Sequence, residues 1–189
     1  RAAQSILPDA AHVAVFDTAF HATIGPEAYR YGLPKSTYTD FGFRRYGFHG
    51  TSFKYVTGYV AEYLDKPAPN LVIMHLGSGA SMCCVKEGKS VDTTMGMSTI
   101  EGLIMGTRAG DTAPGMVTAL IKEHGMSADD VDEMMNKQSG LLGVSGGYSN
   151  DMRLIKEKAR EGDEDCKLAR SMFVERVRKY VGAYTVKLN

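Results

Sequence analysis

Four side chains in this sequence combine a reactive type with a setting of small residues: Asp17 in Phe16-Asp17-Thr18, His49 in Phe48-His49-Gly50, His75 just ahead of Gly77-Ser78-Gly79, and Arg108 between Gly106 and Gly110. Together they suit the handling of a polyanion. A guanidinium on a glycine-flanked loop clamps phosphate oxygens through two parallel hydrogen bonds and stays charged at any working pH. Glycines without a Cβ let backbone N–H groups approach such oxygens and adopt positive φ, and Ser78 and Ser81 add hydroxyl donors. Asp17 follows an apolar run, at the carboxyl end of a strand where open α/β sheets bind ligands. His49 closes a loop, Phe41–Ser52, that holds Arg44 and Arg45 among aromatics and glycines and leads into a helix start, a place that favours anions. Each residue also has a plainer reading. The glycine turn is then a flexible hairpin, Asp17 a cap, the 41–52 loop a basic surface loop packed by its aromatics, and Arg108 the partner of Asp111 in a surface ion pair. His21 fits either a site or a core.

The elements that must position these residues can be read from periodicity. Leu71–Met74 and Met82–Val85 are apolar runs on either side of the glycine turn, predicting two strands, and Glu87-Gly88-Lys89 turns the chain into a third extended run from Val91. His12–Phe16 reads as a buried strand after a short helix at Ala2–Leu7. Gly25–Asp40, with two prolines and three tyrosines, reads as an irregular surface excursion. Ser52 is the expected cap of a helix from Phe53 to about Leu64, with Phe53, Val56, Val60, Ala61 and Leu64 on one face. Four glycines between Gly96 and Asp111 predict short turns and close backbone approach. Asp111 or Thr112 is expected to cap a helix with Pro114 in its first turn and Val117, Leu120 and Ile121 facing inward. Ser127 with Asp130 predicts a capping box, Gly140–Gly147 a glycine-rich turn, and Asn150 or Asp151 a cap for a helix running to about Glu161. Glu164–Tyr184 places Ala169, Phe173, Val177, Tyr180, Val181 and Tyr184 at helical spacing, predicting a helix that covers the core.

The bulk composition sets bounds on function. The 189 residues, 43% of them hydrophobic, suffice for one substantial core or for one domain and part of another. Lys plus Arg and Asp plus Glu both number 22, so no overall field draws nucleic acid or an anionic membrane, and any anion site must be built locally. No apolar run approaches a membrane span. Cys83, Cys84 and Cys166 are odd in number and two are adjacent in a predicted strand, which points to buried reduced thiols and a cytoplasmic setting. The start at Arg1 and the end at Asn189, without a helix stop signal, read as an internal piece of a longer chain.

Six blocks carry a resemblance: FDTAFH (Phe16–His21), RRYGFHGTS (Arg44–Ser52), HLGSGAS (His75–Ser81), GKSVDTTMG (Gly88–Gly96), EGLIMGTRAGD (Glu101–Asp111) and SGLLGVSG (Ser139–Gly146). In this order, over nearly the whole chain, they resemble acetate kinases. The resemblance implies an α/β actin-like (ribonuclease H-like) ATPase fold of two related domains. Residues 1–20 would end the N-terminal domain, and 21–189 would form part of the C-terminal one, so the chain is mostly the second domain. It further implies reversible phosphoryl transfer from ATP to acetate with Mg²⁺, giving acetyl phosphate and ADP, in a cytoplasmic homodimer. Propionate or a pyrophosphate donor are close variants, and a non-catalytic phosphate-binding or dimerisation module is a rival of another class. By motif, Asp17 matches the active-site acid, which would position Mg²⁺ through water, and His49 and Arg108 match the groups that stabilise the transition state. His75, Leu76, Gly77, Ser78 and Gly79 match the nucleotide-phosphate loop, and Phe48 a wall of the methyl pocket. Three positions depart from the common pattern: Ser78 for Asn, Phe53 for a second His, and Thr99 for Pro. An upstream phosphate loop, a carboxylate-holding arginine, a downstream adenosine segment and a late Mg²⁺-linked Glu are not in these residues, so the chain alone is expected to be inactive.

Overall fold

In the computed structural model, which describes residues 2–189, the chain enters through a short exposed helix, α1 (Ala2–Ile6), and then runs through Ala11–Phe16 without secondary structure. The buried strand expected at His12–Phe16 does not form. Val13, Val15 and Phe16 are 84%, 75% and 69% exposed. A strand needs a ladder for its N–H and C=O groups, and among the described residues the one sheet is made by later strands. A 3₁₀ turn at Ala19–Thr23 follows, and the stretch expected to be irregular contains two short helices, α2 (Pro26–Tyr29) and α3 (Lys35–Thr39).

Helix α4 (Gly50–Tyr63) begins earlier than expected. Its N-cap is His49, in the left-handed conformation at φ 57°, ψ 22°, while Ser52 sits inside the first turn. Asp17 does from a distance what a capping serine does locally: its Oδ2 accepts from His49 N at 2.7 Å and its carbonyl from Gly50 N at 2.8 Å. Then come β1 (Leu71–Leu76), β2 (Ala80–Lys86) and β3 (Lys89–Thr93), an antiparallel sheet in the order β1-β2-β3, with Ile73 opposite Cys83, His75 opposite Ser81, and a bulge between Cys84 and Val85.

Residues 94–113 are irregular, as the glycines require. Helix α5 (Pro114–Lys122) is preceded by Ala113, and neither Asp111 nor Thr112 caps it. Asp111 is engaged elsewhere: its Oδ1 accepts from Gly102 N at 2.9 Å and its Oδ2 from the Tyr180 hydroxyl at 2.6 Å. Ile121 of α5 is 39% exposed, so it does not join the inward face. Helix α6 (Ala128–Lys137) opens on the expected Ser127/Asp130 capping box. Gly140–Gly147 holds a short helix, α7 (Gly140–Val144), whose Leu141 is buried. Asp151 caps α8 (Met152–Arg160), accepting from Arg153 N, and Asp163 caps the 25-residue α9 (Glu164–Leu188).

Strand β2 lies between the other two and is covered on both faces, which is why it reads as an almost unbroken apolar run. Ala80, Met82 and Cys84 point to one face, where they pack with Met95, Leu103, Met105 and, from α9, Tyr184. Cys83 and Val85 point to the other and pack with Ile73 and with Phe53 of α4. Burying such side chains stabilises by roughly 1.5–3 kcal/mol each. All three cysteines are free and buried, as expected, with burial pushing the Cys83 thiol up to about 12 and Cys84 to about 11. A second cluster, Leu141, Ile155, Ala159, Cys166 and Ala169, joins α7, α8 and α9.

Candidate active site

The β1–β2 register places His75 and Ser81 opposite each other at the turn end of the sheet, on the face that α4 covers. The first turn of α4 therefore meets the glycine turn. His49, at the helix entrance, stacks on His75 with ring centroids 4.0 Å apart and planes inclined by 20°. Each ring is oriented by a serine: His49 Nδ1 lies 2.7 Å from Ser81 Oγ, and His75 Nδ1 lies 3.0 Å from Ser52 Oγ. Both Nε2 atoms are left to face the turn. Ser52 was expected as a cap and is instead a partner of His75. Nothing local distinguishes those roles, because a serine at a helix start satisfies the capping pattern whatever its side chain does.

Arg108 closes the group. Gly79 is approached by both side chains: a Cβ there would lie 3.5 Å from Arg108 Nη1 and 3.5 Å from His49 Nε2. The guanidinium is not paired with Asp111. Its Nη1 donates weakly to Thr99 O at 3.4 Å, which leaves its other donors available to a ligand. The ion pair that forms nearby is Asp111 with Arg176 of α9, at 3.3 Å. Arg108 is carried by a loop held on its N-terminal flank, Met105 N donating to Arg108 O and Gly106 N to Ser78 O, each at 3.1 Å. The same bond ties the Arg108 loop to the glycine turn.

The turn is closed by Gly77 N donating to Gly79 O at 3.0 Å. Among the described residues the N–H groups of Ser78 and Gly79 have no protein acceptor, so they can turn to an anion. On the far side of the turn a groove of about 440 Å³ opens between Leu76–Ser78, Gly106 and the 150–153 segment. Asn150 and Asp151 are expected only as candidate caps, and the 150–153 segment carries no sequence signal for a groove. Within it the Arg153 guanidinium, paired with Asp151 at 2.6 Å, holds the Asp151 carboxyl down to about 2.

Electrostatics sets the charge state of His49. Burial is the main cause of a pKa below the usual histidine range, with His75 and Arg108 acting in the same direction and Asp17 opposing them. A neutral ring that accepts from Ser81 at Nδ1 presents Nε2–H as a hydrogen-bond donor. Asp17 does not enter the His–His stack. It is exposed, and one of its oxygens is taken by the His49 N–H. Phe48 is half-buried, with its side chain against the Met82/Met95/Leu103/Met105 cluster. Thus Asp17, His49, His75, Gly79 and Arg108 converge within contact range or through one hydrogen bond, although up to ninety-one positions separate them in sequence.

Among the described residues no group of three or more His, Cys, Asp or Glu is arranged to hold a metal ion. Mg²⁺ commonly takes one or two carboxylates, with waters and substrate phosphates completing its shell, so the single free oxygen of Asp17 fits that mode. No helix among the described residues is long and apolar enough to cross a membrane.

The sequence pattern of the acetokinase family matches residues 1–189. The acetate kinase of Carboxydothermus hydrogenoformans is 51% identical over 191 residues, covering 100% of this chain and 48% of that protein. The propionate kinase of Yersinia enterocolitica is 50% identical over 189 residues, covering 99% and 46%. The crystal structure of a propionate kinase from Francisella tularensis superposes with a TM-score of 0.95 at 42% identity, covering 99% of this chain and 48% of that one. The chain thus spans about half the length of the relatives it matches, and its fold is the one found in acetate and propionate kinases, the actin-like ATPase fold. Matched by that pattern over its whole length, this chain belongs to the acetokinase family.

Proposed function

We propose that the protein to which this chain belongs is an acetate kinase, transferring the γ-phosphoryl group of ATP to acetate and back, to give acetyl phosphate and ADP. The observation that carries this reading is the gathering of Arg108, His49, His75 and the Gly77–Gly79 turn around one small space. In the proposed division residues 1–20 end the first domain and 21–189 belong to the second, in a cytoplasmic homodimer. Acetate is already ionised at neutral pH, so the chemical difficulty is to bring two anions together and hold the passing group in line. The Ser78 and Gly79 N–H groups take phosphate oxygens of the donor, whose remainder lies along the groove towards Asn150–Arg153. Arg108 and the Nε2–H of His49 neutralise the equatorial oxygens of the phosphoryl group. Asp17 fixes the His49 backbone through one oxygen and offers the other to Mg²⁺ or its water. Bound Mg²⁺ would supply charge neutralisation of the phosphates. Phe48 walls the acyl pocket.

Propionate as acceptor is the second reading, favoured by the 50% identity to a propionate kinase. Pyrophosphate in place of ATP is a third. Assays of the full-length protein with acetate against propionate, and ATP against pyrophosphate, separate them. Arg108→Ala and His49→Ala are expected to lower kcat by about a hundredfold or more each, ~3 kcal/mol, without loss of folding. Unchanged turnover in both variants would favour the non-catalytic phosphate-binding or dimerisation module.

A further inference from the structure

His21 is buried, with 1% of its surface exposed, yet both ring nitrogens are engaged. Nδ1 lies 2.8 Å from Ser90 Oγ on β3, and Nε2 lies 3.0 Å from the carbonyl oxygen of Phe48. A carbonyl can only accept, so Nε2 carries the hydrogen; a neutral buried ring then accepts at Nδ1 from the Ser90 hydroxyl. The tautomer follows from the partners. The ring is also wedged in place: Phe20 and Phe53 meet it edge-on at 5.9 and 5.8 Å, and a Cβ on Gly47 would strike it.

The carbonyl that His21 holds belongs to the same peptide unit as the His49 N–H, which donates to Asp17 Oδ2 at 2.7 Å. Both polar ends of the Phe48–His49 peptide are therefore clamped, from two residues four apart in one motif. The next torsion is the φ of 57° at His49, which for a residue with a side chain is unfavourable by roughly 1–2 kcal/mol and persists only where the surroundings impose it. We propose that His21 is a positioning residue for phosphoryl transfer: with Asp17 it clamps the Phe48–His49 peptide, which fixes His49 in its left-handed conformation and aims its imidazole along His75 towards the glycine turn. The kinetic part of this inference rests on the kinase reading above; the clamp itself does not.

The test uses His21→Phe, His21→Gln and Ser90→Ala in the full-length protein. His21→Phe keeps the bulk and removes the donor, and is expected to lower kcat about tenfold or more while KM for ATP and acetate stays within about twofold. His21→Gln, whose amide can donate to Phe48 O, is expected to recover most of that loss. Amide hydrogen exchange gives a readout independent of activity. The His49 N–H is expected to exchange about tenfold faster in His21→Phe, with the Met82–Val85 amides unchanged, whereas a general loosening would raise both. Ser90→Ala keeps the ring and its bond to the Phe48 carbonyl but removes the hydroxyl that holds Nδ1, and carries the test if His21→Phe does not fold. Its expected signature is faster His49 exchange with a ¹⁵N imidazole spectrum at His21 that still reports Nε2–H, because the Phe48 carbonyl remains its acceptor. Wild-type kcat with a protected His49 amide in His21→Phe, or equal losses in the Phe and Gln variants, overturns the proposal. If the unaltered protein transfers no phosphoryl group to acetate or propionate, the kinase reading fails, and the exchange data alone decide the clamp.

Discussion

Two imidazoles stacked at 4.0 Å beside a guanidinium make a place where added positive charge is disfavoured. His49 is held below the usual histidine range by burial and by those neighbours, and His21 by burial above all. The unfolded chain, with ordinary values near 6.5, takes up these two protons before the folded one does. Stability is thus fully present above that value and falls as pH drops through the depressed folded-state values. Urea midpoints measured at a series of pH values should be flat above about pH 7 and decline on acidification. A shallower decline is expected in His21→Gln, which lacks one of the two groups. Asp17, His49, His75 and Arg108 were legible because each sits in a short motif of unusual composition. Ser52 and His21 were not, since their partners lie 23 and 69 positions away and a lone hydroxyl or imidazole has many ordinary uses.

At the scale of elements, what positions Arg108 is the packing of its loop on α7 and α9. Gly140 has φ 64°, and a Cβ there would collide with the carbonyl of Met105 and approach the backbone of Arg108. Gly140→Ala is therefore expected to lower stability by about 1–3 kcal/mol and kcat with it, read from thermal melts and initial rates, because the Arg108 backbone must move. From the other side, Arg176 Nη1 donates to Gly102 O at 3.1 Å and Tyr180 to Asp111, so the long helix anchors the loop's two ends. The hairpin is readable from two apolar runs on either side of a glycine turn and α9 from its 3.6-residue period, both of which record burial directly. The start of α4 was not: a left-handed, non-glycine cap supported by a carboxylate thirty-two positions upstream leaves no local pattern. Nor was the helix at Gly140–Val144, where glycine content pointed to a turn and the burial of Leu141 prevailed.

For the molecule as a whole, the chain spans about half the length of its relatives. Expressed by itself, it is expected to fold around the three-stranded sheet yet give no acetyl phosphate in a hydroxamate assay, while the full-length protein does. Measurable turnover by the 189 residues alone would show that these donors suffice. The buried strand expected at His12–Phe16 does not form because an apolar run records a tendency to be covered, not the identity of the cover. Left uncovered, Val13–Val15 carry unpaired backbone groups beside large apolar side chains, the composition of a sticky sheet edge. The isolated chain should consequently have poor colloidal behaviour, with light scattering that grows with protein concentration. A charge at the middle of that ribbon, Val15→Glu, should suppress the scattering while leaving the melting temperature where it was.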